Sequence, residues 1–145
     1  MMDPESHFDL VEGIMNSVRT CEVIQKIGPR WEKSREKWTF ANFRAEFRFH
    51  AGHTFDVYEG FKRDRVGAPI SRKFSCYFGD GGRELFQFDT HGMYGEDCHL
   101  ELNGVRLFAG NPDLRGFSPA DMDFPTAFGI AHRFLDGERF PWERE

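Results

Sequence analysis

Between residues 43 and 58 apolar and polar side chains alternate with a period of two. Phe43, Ala45, Phe47 and Phe49 alternate with Arg44, Glu46 and Arg48, and Phe55 and Val57 with Asp56 and Tyr58. That alternation marks strands buried on one face. Register can be tested by matching faces, because a one-residue slip turns every side chain to the wrong side. A three-residue loop at Ala51-Gly52-His53 pairs Phe49 with Phe55, Arg48 with Asp56 and Phe47 with Val57, whereas a two-residue loop sets Phe47 against Asp56. The three-residue loop is therefore expected.

Two more hairpins follow from the same test. With Asp80-Gly81-Gly82 as the turn, Cys76 meets Phe86, Ser75 meets Gln87, Phe74 meets Phe88 and Lys73 meets Asp89. Asn103-Gly104 is the preferred pair for a type I′ turn. It sets Leu102 against Val105, Glu101 against Arg106, Leu100 against Leu107 and His99 against Phe108. Residues 91–96 read as a loop, and residues 61–70 as the connection with most freedom to move.

The ends of the chain carry a helical period instead. Asp3-Pro4 is an N-cap followed by a proline in the first turn, and Phe8, Val11, Met15 and Val18 form one stripe. This helix ends near Arg19 with a strand over 21–27 or, as the second choice, continues to Ile27 before Gly28-Pro29. Residues 30–37, charged around Trp31, read as a solvated loop or edge. Near the C-terminus a turn over 119–122 leads to a helix capped by Asp123, with Pro125 in its first turn. Phe124, Phe128, Ala131 and Leu135 are its buried stripe, Gly137 ends it, and the tail through Trp142 packs back. The expected fold is α+β in a single domain, 1–145. A twisted, mainly antiparallel hairpin meander of roughly five to seven strands carries an N-terminal and a C-terminal helix on one face.

Composition narrows the class. Seventeen phenylalanines in 145 residues demand an interior and exclude disorder. Nineteen Lys and Arg against 24 Asp and Glu leave a net charge of −5, which argues against binding nucleic acid by bulk electrostatics but leaves room for a local basic patch. No run approaches the ~18 apolar residues of a membrane span, and the N-terminus lacks the pattern of a secretory signal. Three cysteines without CxxC spacing suit free thiols in a reducing compartment, so a cytoplasmic location is expected.

The outer face of the sheet is where chemistry could sit. The registers put Arg44, Glu46, Arg48, His50, Asp56 and Tyr58 there. Lys73, Ser75, Tyr77, Gln87, Asp89 and His91 join them, then His99, Glu101 and Arg106. Arg48–Asp56, Lys73–Asp89 and Glu101–Arg106 could be simple cross-strand ion pairs on a solvated face. Such pairs leave the histidines without a role. One role is a metal site from His50, His53, His91, Cys98 and His99, although the spacings are looser than those of structural zinc. The other is metal-free RNA cleavage. His91 or His99 would serve as general acid or base, with Glu46, Asp89 or Glu101 as partner. Arg44, Arg48, Lys73, Arg106 and Tyr77 would hold the substrate and its developing charge. This second role calls for no metal and no cofactor.

From residue 45 to residue 135 the order of elements resembles the TumE-like toxins of bacterial toxin–antitoxin modules. The matching features are the "FRFH" strand, the "LFQFDTHG" strand ending in Asp89 and His91, a second histidine at His99, and a helix opened by "FSPADMDFP". Residues 92–98 and the first forty residues depart from that pattern. The resemblance implies a small intracellular toxin, with RNA as a candidate target and a helix-turn-helix antitoxin as partner. It assigns functional positions only to Asp89, His91 and His99. The expected function is thus a toxin-type effector that binds or cleaves RNA. The alternative is a non-enzymatic protein-interaction module, such as an immunity, inhibitor or antitoxin-like protein. Neither expectation involves a membrane.

Overall fold

The computed structural model describes residues 3–92, 97–120 and 122–143. Helix α1 (Pro4–Ser17) leads into strands β1 (Cys21–Trp31), β2 (Phe40–Phe49), β3 (His53–Lys62), β4 (Ser71–Asp80), β5 (Arg83–Gly92), β6 (Asp97–Leu102) and β7 (Val105–Phe108). Helix α2 (Phe124–Leu135) follows. Each strand pairs antiparallel with the next, so spatial order equals chain order across a seven-stranded open sheet. This is the expected α+β meander with its two helices. Among the described residues no helix is long and apolar enough to cross a membrane.

Local chemistry places the helix ends. The Asp3 side chain accepts the Ser6 N–H at 2.9 Å, with Pro4 in the first turn, and Asp123 does the same for Thr126 at 2.9 Å. Helix α1 stops at Ser17, so the shorter of the two expected helices is the one formed. Strand β1 runs on to Trp31 and takes in residues 30 and 31 of the expected loop. Gly28-Pro29 lies inside it, at an irregularity between Ile27 and Arg30. An edge strand tolerates proline there because the missing N–H breaks no obligatory ladder bond.

Thirteen of the seventeen phenylalanines are buried, so the surplus is a core rather than a surface feature. On α2, Phe124 stacks on Phe47 (centroids 5.7 Å apart), and Phe128 lies 4.7 Å from Phe47 and 5.4 Å from Phe55. On α1, Phe8 meets Phe61 at 5.4 Å. The α2 stripe is Phe124, Ala127, Phe128, Ile130 and Ala131, while Leu135 is only half-buried. Trp142 packs back against Phe86 and Phe88 as expected. The connection after β3 is anchored where it begins. Arg63 Nε–H donates to Trp38 O at 2.7 Å, and its guanidinium lies 3.8 Å from the Trp38 ring.

The Asn103-Gly104 hairpin has the expected register at every pair. The other two are displaced by two residues. In the first, Phe47 faces Phe55, Arg48 faces Thr54 and Glu46 faces Asp56. The loop is His50-Ala51-Gly52, and His50 therefore leaves the strand face on which it was expected. The physical reason is Gly52, at φ +94°, which closes a three-residue loop in the left-handed position that such loops require. In the second hairpin the turn is Gly81-Gly82, both at positive φ, with an irregularity between Phe78 and Gly79. Cys76 then faces Phe88, Ser75 faces Asp89 and Lys73 faces His91. Residues 91 and 92 belong to β5 rather than to the loop expected over 91–96; the rest of that expected loop, 93–96, lies outside the described residues.

One polar side chain sits inside the phenylalanine core. Glu59 of β3 is fully buried, and its carboxylate joins the sheet to both helices. Oε1 accepts the Phe124 N–H at the start of α2 (2.5 Å), and Oε2 accepts from Nε2 of the buried His7 on α1 (2.5 Å). A buried donor left without its acceptor costs its full desolvation. Glu59→Ala is therefore expected to destabilise the fold by about 2–4 kcal/mol. Glu59→Gln keeps one carbonyl acceptor and should cost about half as much. Urea denaturation midpoints of the two variants check this; an unchanged midpoint for Glu59→Ala would contradict it.

Candidate functional site on the open face of the sheet

Strand parity separates two faces. Both helices pack on the phenylalanine face, and the other carries polar residues aligned in rows across the strands. One row runs Ile27, Arg44, Tyr58, Ser75, Asp89, His99, Phe108. The next runs Gln25, Glu46, Asp56, Tyr77, Gln87, Glu101, Arg106. Every outer-face residue expected from the sequence except His50 lies at a position of this parity. The expected ion pairs fare differently. Glu101 and Arg106 do meet, at 3.7 Å. Arg48 faces Thr54 instead of Asp56, and Lys73 faces His91 instead of Asp89, so those two pairs are not formed.

The corrected register changes the electrostatics at the centre. Glu46 stands directly opposite Asp56, and like charges in that position oppose pairing. Partial burial, and then the Glu46 carboxylate, push the Asp56 carboxyl above its ordinary range. Arg44 lies on the same strand as Glu46, two residues away. Its guanidinium sits 5.6 Å from the Tyr58 ring rather than in an ion pair.

A hollow of about 370 Å³ opens between the two rows. Its floor is the backbone at Ala45, Val57 and Cys76, and its walls include Arg44, Glu46, Asp56, Tyr58, Ser75, Tyr77 and Gln87. Two glycines explain the space. The Tyr58 ring lies along its own strand over Gly60, where a Cβ would come within 2.7 Å of the hydroxyl, and Tyr77 lies in the same way over Gly79. Because β3 and β4 are antiparallel, the two rings fold in opposite directions and clear the space between them.

Beyond the hollow, Asp89 and His99 are direct cross-strand partners. Asp89 Oδ1 is buried and has no hydrogen-bond partner among the described residues, and the His99 ring lies 5.5 Å from Phe108. A carboxylate beside an imidazole can orient the ring and set which nitrogen carries the proton. His91 is placed by register beside Lys73 and Asp97. The metal constellation does not assemble. His53 stacks on Phe78 on the helix side of the sheet, Cys98 is buried on that side, and His99 is on the other. Among the described residues no group of three His, Cys, Asp or Glu could hold an ion. Nor is there an activated thiol at Cys21 or Cys76, since burial pushes both up. His7 and His132 are satisfied residues, His132 through Phe128 O at 3.0 Å and Thr20 Oγ1 at 2.5 Å.

Sequence reasoning missed the Glu46–Asp56 pair and the hollow. A signal for the hollow was present, because Tyr-x-Gly occurs at both 58–60 and 77–79 on neighbouring strands. Comparisons with protein-family models, curated proteins and solved structures return no match, so the chemistry of this face rests on its own geometry.

The raised Asp56 carboxyl has a consequence for stability. The fold favours the protonated form, so the contribution of this group is present below its unfolded pKa and is lost as pH rises through the folded one. Asp56→Asn should therefore raise Tm near neutral pH by about 1–3 °C. The gain should vanish by about pH 3. Thermal melts of both proteins across that range provide the check; equal Tm values at neutral pH would refute the repulsion.

Proposed function

We propose that the open face of the sheet is an RNA-binding surface, and that the chain is a small toxin-type effector which cleaves RNA there and is restrained by a cognate protein partner. The observation that carries this reading is the Asp89–His99 pair, set in one row with Arg44, Tyr58 and Ser75. Metal-free cleavage needs a base for the 2′-OH, an acid for the departing oxygen and cations for the charge of the transition state. His99, with Asp89 as its direct cross-strand neighbour, is the candidate for one proton-transfer group, and His91 is the candidate for the second. Arg44, Arg48, Lys73 and Arg106 on the same face supply positive charge, and Tyr58, Tyr77 and Phe108 offer rings to unpaired bases. The net charge of −5 is an average over the whole chain, and phosphate contacts are local. The resemblance of residues 45–135 to TumE-like toxins points the same way.

Fluorescence anisotropy with a short single-stranded RNA, together with gels of the products, tests the proposal. Binding should weaken steeply with salt, and Arg48→Gln should reduce the log–log slope by about one. His99→Ala should slow cleavage by at least about 100-fold, with a much smaller effect on binding. Absence of both binding at low salt and cleavage would reject the proposal.

A separate observation favours the alternative of a protein-interaction module. The sheet is open, so among the described residues β1 and β7 each leave an edge unpaired, and large apolar side chains are exposed there: Val23 and Ile24 on β1, Val105 and Phe108 on β7. Unpaired edges can accept a strand from another chain. Stoichiometric co-purification with the product of an adjacent gene, without RNA binding, would favour that reading.

A further inference from the structure

The hollow between Tyr58 and Tyr77 has a chemistry of its own, distinct from the Asp89–His99 pair. It presents two carboxylates side by side, an arginine, a serine hydroxyl and two glutamine amides, Gln25 and Gln87, around a floor of backbone. Its volume of about 370 Å³ lies within the range of pockets that hold small organic groups. A bare cation would suit Glu46 and Asp56 but would have no use for Arg44. One nucleotide unit offers both partners, a phosphate for Arg44 or Arg48 and base N–H groups for the carboxylates.

Resting on the RNA reading above, we propose that this hollow is a base-selective subsite which takes one unpaired guanine. Ionised carboxylates can only accept hydrogen bonds. Guanine places two donors next to each other, N1–H and the N2 amine, and so matches a carboxylate with two bonds. Adenine and cytosine each bring one amine beside an acceptor. Uracil flanks its single N–H with two carbonyl oxygens, which a carboxylate repels. Gly60 and Gly79 are what keep the subsite open. An added Cβ at either position pushes a tyrosine ring back over the space the base occupies. Asp89 and His99 stand on β5 and β6, across β3 and β4 from Arg44 and Arg48 on β2, so the subsite and the Asp89–His99 pair would engage different parts of the same strand of RNA.

The test compares two short labelled RNAs, an oligouridylate and the same strand with one central uridine replaced by guanosine. Wild-type protein should bind the guanosine strand about tenfold more tightly. In Glu46→Gln and Asp56→Asn the preference should fall to about twofold or less. The Asp56→Asn protein is the control for folding, since its Tm should exceed that of the wild type near neutral pH. Equal binding of the two strands by the wild type would overturn the subsite while leaving the RNA surface standing. A preference that survives in both variants would overturn it too. Failure to bind either strand would overturn the RNA reading and the subsite together.

Discussion

The carboxylate of Glu59 is the point on which the two layers of this protein are joined. It leaves water completely and enters a phenylalanine core, which is unfavourable unless both oxygens are bonded. One oxygen takes the first N–H of α2 and the other takes His7 of α1, so a single strand residue fixes where both helices meet the sheet. The bond to α2 also meets a donor that no intrahelical carbonyl can reach, while Asp123 meets a second. A negative group at a helix N-terminus is favourable for the same electrostatic reason. Aromatic packing supplies bulk attraction but little direction. The buried carboxylate supplies direction.

Because Glu59 commits both helices to one face, the other is left to polar residues. That division was legible in the sequence, since strand parity is read directly from alternation. The Asn103-Gly104 hairpin was legible pair by pair because its turn type is specified by two residues. The first two hairpins were not. Matching apolar faces excludes an odd slip, yet an even slip keeps every face correct and changes every partner. What decides between even registers is the loop, and there Gly52 and the Gly81-Gly82 pair were the informative residues. Opposite charge was a misleading guide. Setting Arg48 against Asp56 looked favourable, and the fold sets Glu46 against Asp56 instead.

That conflict identifies where local preference is overruled. Two carboxylates opposite each other at the centre of a sheet oppose strand pairing, and the apolar face beneath them, Ala45 against Val57 and Phe47 against Phe55, holds the register regardless. Glu59 itself interrupts the parity of Phe55, Val57 and Phe61, and His7 lies in the stripe of Phe8 and Val11. Both were visible as polar intrusions in apolar patterns. Their pairing was not visible, because fifty-two residues separate them and only the completed sheet brings them together.

On the proposed function, the carboxylates also bear on how the face would tell one RNA from another. A face lined only with arginine and lysine binds any phosphate chain, and its affinity carries no sequence information. Placing Glu46 and Asp56 between Arg44 and Arg48 weakens that indiscriminate attraction. Affinity is recovered only when the bound unit brings hydrogen-bond donors to the carboxylates, so poor ligands are rejected by repulsion as well as by missing contacts. The tyrosines contribute by standing aside. Folded over Gly60 and Gly79, they leave the carboxylates reachable from solvent, and their rings border the space instead of filling it. Strand pairing is weakened at this one place, and the buried face of the same strands compensates for it.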